Sequence, residues 1–139
     1  MKKARVIGTS LDAINDAENE IGYIFPKSFS TWLMKNNGKT LNGLPIFPVF
    51  DSRDPRKTWD SISRHFKVDW KEWLENFADE DIDFSFLLPF SNFGTGDYYC
   101  FNYAKLGHAE EPVIVLWSHE TGEITEIADC FSEFVEFRK

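Results

Sequence analysis

Apolar side chains in the first half of the chain recur every three or four residues, the spacing that places them on one face of a helix. Residues 11–21 follow this spacing, with Ser10 in position to cap the helix and Gly22 in position to end it. Phe25-Pro26 predicts the start of a second helix, because proline suits a first helical position. The turn-forming residues 36–38 predict its end.

Two further helical stripes are predicted between residues 59 and 77, and both are rich in tryptophan. The first consists of Trp59, Ile62 and Phe66. The second consists of Trp70, Trp73, Leu74 and Phe77. Their spacing is that of core positions. The chain has 5 tryptophans among 139 residues, however, and one or two of them exposed beside acidic residues would suit a protein interface.

The second half of the chain has the pattern of a sheet. Residues 86–90 form a short apolar run, and residues 97–103 have the composition of a strand. Pro112–Trp117 is continuously apolar, which is typical of a central strand covered on both faces. A hairpin turn is predicted at residues 119–122, and Asp129 is expected to cap a last helix. Helices followed by an antiparallel meander and a helix predict the α+β class.

A length of 139 residues is usual for a single domain, and no repeat or flexible linker divides the chain, so we expect one domain over residues 1–139. The longest purely apolar run, Val113–Trp117, is too short to span a membrane. The basic start has no apolar stretch behind it, so no secretory signal is predicted. We therefore expect a cytoplasmic protein in which Cys100 and Cys130 are reduced.

Charge is divided unevenly along the chain, whose formal net charge is −8. Residues 1–71 contain 12 Lys/Arg and 8 Asp/Glu, whereas residues 72–139 contain 3 and 15. The segment from residue 72 to residue 83 has six acids and no base. Such a field repels nucleic acid and anionic lipid and speeds the encounter with a basic partner. Ordinary solubility explains the same charge equally well at this stage.

Two short motifs invite catalytic or nucleotide-binding interpretations that their context does not favour. Gly94-Thr95-Gly96 lacks the third glycine of a phosphate-binding loop and leads into a strand, not into a helix N-terminus. Ser118-His119-Glu120 contains the residue types of a hydrolytic triad. Consecutive residues of a strand point to opposite faces, so these three cannot converge on one substrate atom. We expect a hairpin corner there and no enzyme activity.

Metal binding is not favoured either. His65 and His108 are isolated, and no zinc-binding spacing of histidine or cysteine is present. Asp79, Asp81 and Asp83 could bind calcium, but the segment lacks the glycine and the distal glutamate of a calcium-binding loop. A solvated acidic face is the simpler interpretation, and no cofactor is predicted.

The order and spacing of several short elements resemble the SUKH superfamily, which contains bacterial toxin-immunity proteins and fungal cell-wall-synthesis regulators of the Smi–Knr type. The resemblance covers about residues 10–136. It rests on Ala17-Glu18, Ile21-Gly22, Phe25-Pro26, Asn37-Gly38, Leu88-Pro89-Phe90, Gly96-Asp97, Tyr99-Cys100, Pro112-Val113, Trp117, His119-Glu120 and Ala128-Asp129. The chain departs from the family pattern at Lys39, where a glycine is frequent, and at Asn102 and Ser118, where aspartate is frequent.

The resemblance implies a mixed, mainly antiparallel sheet flanked by helices, no cofactor, no catalysis and a surface that binds another protein. Together with the charge it predicts an immunity protein that neutralises a cognate toxin, often a nuclease in such systems. The alternative is a regulatory or scaffold domain that binds an endogenous protein. The oligomeric state, monomer or weak dimer, stays open, as does any role for Asp97 and Asn102. The partner-binding residues predicted here are Glu72, Glu75, Asp79, Glu80, Asp81, Asp83 and Trp70.

Overall fold

The computed structural model describes residues 6–93 and 96–138 of the chain. Residues 1–5, which include most of the basic start, lie outside the described residues, as do Gly94, Thr95 and Lys139. The described helices are α1 (Leu11–Ile21), α2 (Lys27–Asn36), α3 (Pro55–Thr58), α4 (Ile62–Lys67), α5 (Asp69–Glu75) and α6 (Phe131–Arg138). The described strands are β1 (Thr40–Leu41), β2 (Leu44–Pro45), β3 (Leu87–Phe93), β4 (Asp97–Leu106), β5 (Pro112–Trp117) and β6 (Ile124–Ala128).

Helix α1 forms as its sequence predicts. The side chain of Ser10 accepts a hydrogen bond from the backbone N–H of Ala13, which satisfies one of the free amides at the helix start. Gly22 ends the helix with a φ of 91°, a left-handed conformation that glycine adopts without strain. The apolar face is buried, and Ile14 is only 1% exposed. Both predicted ends of this helix are confirmed.

Helix α2 begins at Lys27, one residue after the predicted position, and Pro26 precedes it without a side-chain cap. The cap comes instead from Glu111, which is distant in the sequence. One carboxylate oxygen accepts from the backbone N–H of Ser28 at 3.1 Å, and the other accepts from the Ser28 hydroxyl at 2.5 Å. A carboxylate at this helix start also interacts favourably with the helix dipole. The contact fixes α2 to the segment that leads into β5.

The main sheet has the strand order β3-β4-β5-β6, and its strand pairings are all antiparallel among the described residues. Each strand returns along its predecessor after a short connection, so neighbouring strands run in opposite directions. Strand β5 lies between β4 and β6 and is largely buried, which confirms the prediction of a central strand. A separate two-stranded hairpin pairs β1 with β2, and Pro45 ends its second strand. The α+β class is confirmed.

Aromatic side chains form two connected parts of the core. In the first, Phe29, Phe90 and Phe101 meet Phe131 of α6, with ring centroids 4.4–6.1 Å apart. In the second, Trp117 at the end of β5 is surrounded by four rings. These belong to Trp70, Phe77, Phe84 and Tyr98. The second part positions the acidic residues 79–83, because Phe77 and Phe84 stand on either side of them in the sequence.

Two local predictions are wrong. The stripe of Trp59, Ile62 and Phe66 does not share one buried face, because α3 ends at Thr58 and leaves Trp59 64% exposed beside Arg64. Asp129 does not cap the last helix. Its carboxylate accepts instead from the backbone N–H of His108 at 2.8 Å and contacts the same residue's ring at 3.0 Å.

Candidate functional site

The six predicted acidic residues lie in one exposed stretch, residues 72–83, which we call the acidic segment. Helix α5 carries the first two and ends at Glu75, and the remainder follow in turns. Every one of the six side chains is exposed. Asp83 accepts a hydrogen bond from the backbone N–H of Ser85 at 2.9 Å, and hydrogen bonds from Ser85 hold the pKa of its carboxyl below the usual value.

Buried aromatic rings hold the acidic segment against the sheet. Phe77 and Phe84 are 6% and 7% exposed, and their ring centroids lie 5.6 and 5.9 Å from that of Trp117. Both rings also reach Gly122 in the hairpin turn, where an added Cβ would lie 3.0 Å from Phe84 Cζ. Because the segment is fixed at both of these points, its carboxylates sit on a defined surface.

The hairpin turn and the start of β4 complete this end of the molecule. His119 is held by Asp97, whose Oδ1 accepts from the backbone N–H at 3.0 Å and lies 2.5 Å from the ring Nδ1. Burial acts to raise the pKa of Asp97, but the hydrogen bonds and charge of His119 hold it below the usual value. The His119 ring packs edge-on against Trp73 with a centroid distance of 5.1 Å. Asp97 therefore fastens the turn to β4.

A cleft of about 520 Å³ opens beside the acidic segment, between α5 and the strands. Its walls include Asp69, Glu72, Trp73, Asn76, Asn92 and Tyr98. Burial raises the pKa of Tyr98 to about 12, so its hydroxyl is protonated at neutral pH. Gly96 contributes to the wall, and a Cβ there would lie 2.8 Å from Trp73 Cζ2.

Most residues of the cleft were not predicted from the sequence. Four of them have the i, i+3, i+4, i+7 spacing of one helix face, which is a signal that could have grouped them. These are Asp69, Glu72 and Trp73 of α5 and Asn76, which caps its C-terminal end. Asn92 and Tyr98 are paired neighbours on β3 and β4, and their pairing depends on a strand register that the sequence does not reveal.

The structure separates the predicted site residues into two groups. The six acids of the acidic segment are on the surface, whereas Trp70 is 1% exposed and packs edge-on against Trp117 at 4.9 Å. Trp70 is therefore a core residue, and the prediction that it contacts a partner is wrong. The reason is that α5 turns this ring toward the sheet, while Trp73 on the same helix is half-buried at the cleft.

The side chain of Asn102 is buried and binds the backbone of its own strand. Its side-chain oxygen accepts from the N–H of Ala104 at 2.9 Å, where the pairing of β4 with β5 is irregular. This hydrogen bond stabilises a local irregularity of the strand.

The described residues contain no group of three or more His, Cys, Asp or Glu side chains arranged to hold a metal ion. His65 is 5% exposed and lies between two carboxylates, with ring nitrogens 2.9 Å from Asp60 and from Asp69. These are close contacts whose directions are poor for hydrogen bonding. The ring also stacks on Phe47 at 3.7 Å. Through these contacts His65, which lies on α4, connects this helix with α5 and with the loop that contains Phe47.

The charge around the cleft is one-sided. Between residues 72 and 137 the sequence has a single Lys or Arg, Lys105, and that side chain contacts Glu126 at 2.7 Å. The hairpin turn adds Glu120 and Glu123 beside the acidic segment. This end of the molecule, made of residues 69–84, 96–97 and 118–123, is called the acidic end below. Its one Lys or Arg is Lys71, whose ammonium lies 4.9 Å from the centroid of the Phe66 ring.

These features define an α+β domain with a fixed acidic surface and an open cleft beside it. The model of the SMI1/KNR4 family (SUKH-1) matches residues 8–136, and the chain belongs to this family. Its members are generally non-catalytic immunity or regulatory proteins. No curated protein matches the chain. Within the described ranges, no helix is long and apolar enough to cross a membrane.

Proposed function

We propose that this chain is a cytoplasmic immunity protein that binds and neutralises a cognate bacterial toxin of the nuclease type through its acidic end. Family membership supports a binding role of the immunity or regulatory kind. The observation that carries the choice of surface is the acidic segment, in which six exposed carboxylates occupy residues 72–83 and no Lys or Arg lies among them.

The charge supports a basic partner. A nuclease binds phosphates with lysine and arginine side chains, and surface carboxylates can occupy the same positions as those phosphates. An inhibitor of this kind covers the cleft of the toxin and competes with its substrate. Long-range attraction then raises the association rate, which matters for a protein that must capture a toxin before the toxin reaches nucleic acid.

The packing supports a rigid binding surface. Phe77 and Phe84 fix the acidic segment on Trp117, and Asp97 fixes the neighbouring turn through His119. A surface that is ordered before binding loses less conformational entropy when the complex forms. The acidic end therefore combines charge with order, which a disordered acidic tail would lack.

The test is protection of bacterial cells that express a nuclease-type toxin domain, and the gene next to that of this chain is the first candidate to supply it. The test variant neutralises four exposed acids of the acidic segment by Asp79→Asn, Glu80→Gln, Asp81→Asn and Asp83→Asn. We expect this variant to lose protection, because the side chains keep their size but no longer attract a basic cleft. Urea unfolding of the purified variant measures whether the fold is retained.

A matched control neutralises four exposed acids outside the acidic segment. These are Asp12, Asp16, Glu110 and Glu126. The control has the same net charge as the test variant, so it should protect like the original chain if position and not total charge decides. Full protection by the test variant would refute the proposed surface. Capture of a housekeeping protein by the chain in cells that lack the toxin gene would favour the regulatory alternative.

A further inference from the structure

The walls of the cleft beside the acidic segment combine three kinds of chemical group: carboxylates, an aromatic ring and side-chain amides. Helix α5 supplies the carboxylates of Asp69 and Glu72, and Trp73 supplies an aromatic ring. Asn76 and Asn92 add side-chain amides on either side. A volume of about 520 Å³ is large enough for one long side chain from a partner but small for a folded element.

We propose that this cleft is a receptor for an arginine side chain of the partner protein. The inference rests on the proposed function, since it names the chemical group of the partner that the acidic end recognises. A guanidinium group is planar and carries five N–H donors, so it is satisfied by carboxylate and amide oxygens that surround it in one plane. It also binds to the face of an indole ring.

The aromatic wall is held in place by neighbouring groups. Trp73 lies beside Tyr98 in the cleft wall and makes an edge-on contact with His119. Gly96 permits the close approach of β4, because a Cβ at this position would lie 2.8 Å from the Trp73 ring. The ring is therefore ordered before a ligand arrives, and stacking on it requires no rearrangement.

The two carboxylates have different roles. Asp69 already lies 2.9 Å from Nδ1 of the buried His65, so part of its charge is directed into the protein. Glu72 is exposed on the same face of α5, three residues later. Glu72 is therefore the main anionic partner of the guanidinium, and Asp69 assists it.

Arginine fits this cleft better than lysine does. A lysine ammonium is a compact, strongly hydrated charge that gains little from an aromatic face or from paired oxygens in one plane. The partner's arginine stem can lie along the Trp73 ring while its head reaches Glu72.

The experiment is titration of the isotope-labelled full chain with N-acetyl-arginine amide, followed by nuclear magnetic resonance. The side-chain amide signals of Asn76 and Asn92 and the indole N–H signal of Trp73 report on the cleft. We expect saturable shifts confined to these groups and their neighbours. N-acetyl-lysine amide should bind several-fold more weakly, and Glu72→Gln should weaken arginine-amide binding about tenfold through loss of a charge-assisted contact.

The matched control is Glu110→Gln, which removes the same charge from an exposed residue outside both the cleft and the acidic end. It should leave arginine-amide binding within about twofold of the original, because an exposed charge outside the contact is screened. Trp73→Leu tests the aromatic wall separately, with the signal dispersion of the remaining residues as the check on folding. Equal effects of Glu72→Gln and Glu110→Gln on arginine-amide binding, or equal binding of the lysine amide, would overturn the proposal.

The inference and the proposed function can fail separately. Full protection by Glu72→Gln, together with loss of protection by the four-site variant of residues 79–83, would refute the claim that the cleft binds an arginine of the toxin. It would support the claim that the acidic segment binds the toxin. Saturable binding of the arginine amide, together with full protection by the four-site variant, would support the claim that the cleft binds arginine. It would refute the claim that the acidic segment binds the toxin.

Discussion

Replacement of Asp51 by asparagine should destabilise the fold in a manner that depends on pH. Asp51 is 4% exposed, and its carboxylate accepts four hydrogen bonds. The Thr9 hydroxyl donates at 2.8 Å, and Arg53 donates from its backbone N–H at 3.0 Å, from Nε at 3.0 Å and from Nη2 at 2.6 Å. The contact joins the segment before α1 to the loop before α3, so its loss affects both.

The loss of folding stability in Asp51→Asn follows from the number and type of hydrogen bonds that the substitution removes. An asparagine amide presents one acceptor oxygen and directs an NH₂ group toward existing donors, so at least one charge-assisted bond is removed. Such a bond contributes about 1.5–3 kcal/mol. Arg53 is 54% exposed and solvent screens part of the attraction, so we expect about 1–2 kcal/mol at pH 7. For a chain of 139 residues this lowers Tm by roughly 3–7 °C.

The pH dependence gives the sharper test. The side-chain hydrogen bond from Arg53 is the main reason that the pKa of Asp51 lies well below its usual range, against the opposing effect of burial. A carboxyl with a lowered pKa in the folded state stabilises the fold fully above its unfolded pKa of about 3.9. That contribution is lost as pH falls through the folded pKa.

Urea unfolding from pH 7 down to pH 2.5 measures this difference between the original chain and Asp51→Asn. The difference in the free energy of unfolding between the two chains should be constant above about pH 5 and should narrow as the solution is made more acidic. Asp16→Asn, an exposed change in α1, is the control and should show no gap. A gap of the same size at pH 7 and pH 2.5 would refute the assignment of the stabilisation to an ionised Asp51.

Three other changes test the packing. Glu111→Ala removes the distant cap of α2 and should cost about 1–2 kcal/mol in urea unfolding; an unchanged midpoint would contradict the cap. Phe131→Ala should cost about 3–5 kcal/mol because the ring is 1% exposed among other rings, whereas Phe137→Ala on the same helix, 63% exposed, should cost under about 0.5 kcal/mol. Burial raises the pKa of the Cys100 thiol, so a thiol reagent should modify the half-buried Cys130 first; rapid labelling of both in the native protein would be inconsistent with this packing.

The sequence predicts those features whose determinants are close together along the chain. Ser10 and Gly22 stand at the two ends of an apolar stripe, so both ends of α1 follow from local chemistry. The continuous apolar run of β5 likewise indicates its central place in the sheet. The cap of α2 is different, because Glu111 is 83 residues from Ser28 and no local pattern connects them.

The candidate site is predicted in part for the same reason. A charge count alone locates the acidic segment, since its six carboxylates all fall within residues 72–83 with no base among them. Spacing could not separate Trp70 from Trp73, because both belong to one stripe and only the contact with Trp117 decides which is buried. The cleft depends on the pairing of Asn92 with Tyr98, which is a property of the sheet register.

The most direct test of the central claim is the rate at which the purified chain associates with the toxin domain against which it protects cells, measured by stopped-flow between 50 and 500 mM NaCl. Attraction by the acidic end predicts a rate that falls roughly tenfold or more over this range. It also predicts that the four-site variant of residues 79–83 associates more slowly at low salt, with a weaker salt dependence than the matched control. Equal rates and equal salt dependence for the two variants would contradict the claim that this protein recognises its partner through the acidic end.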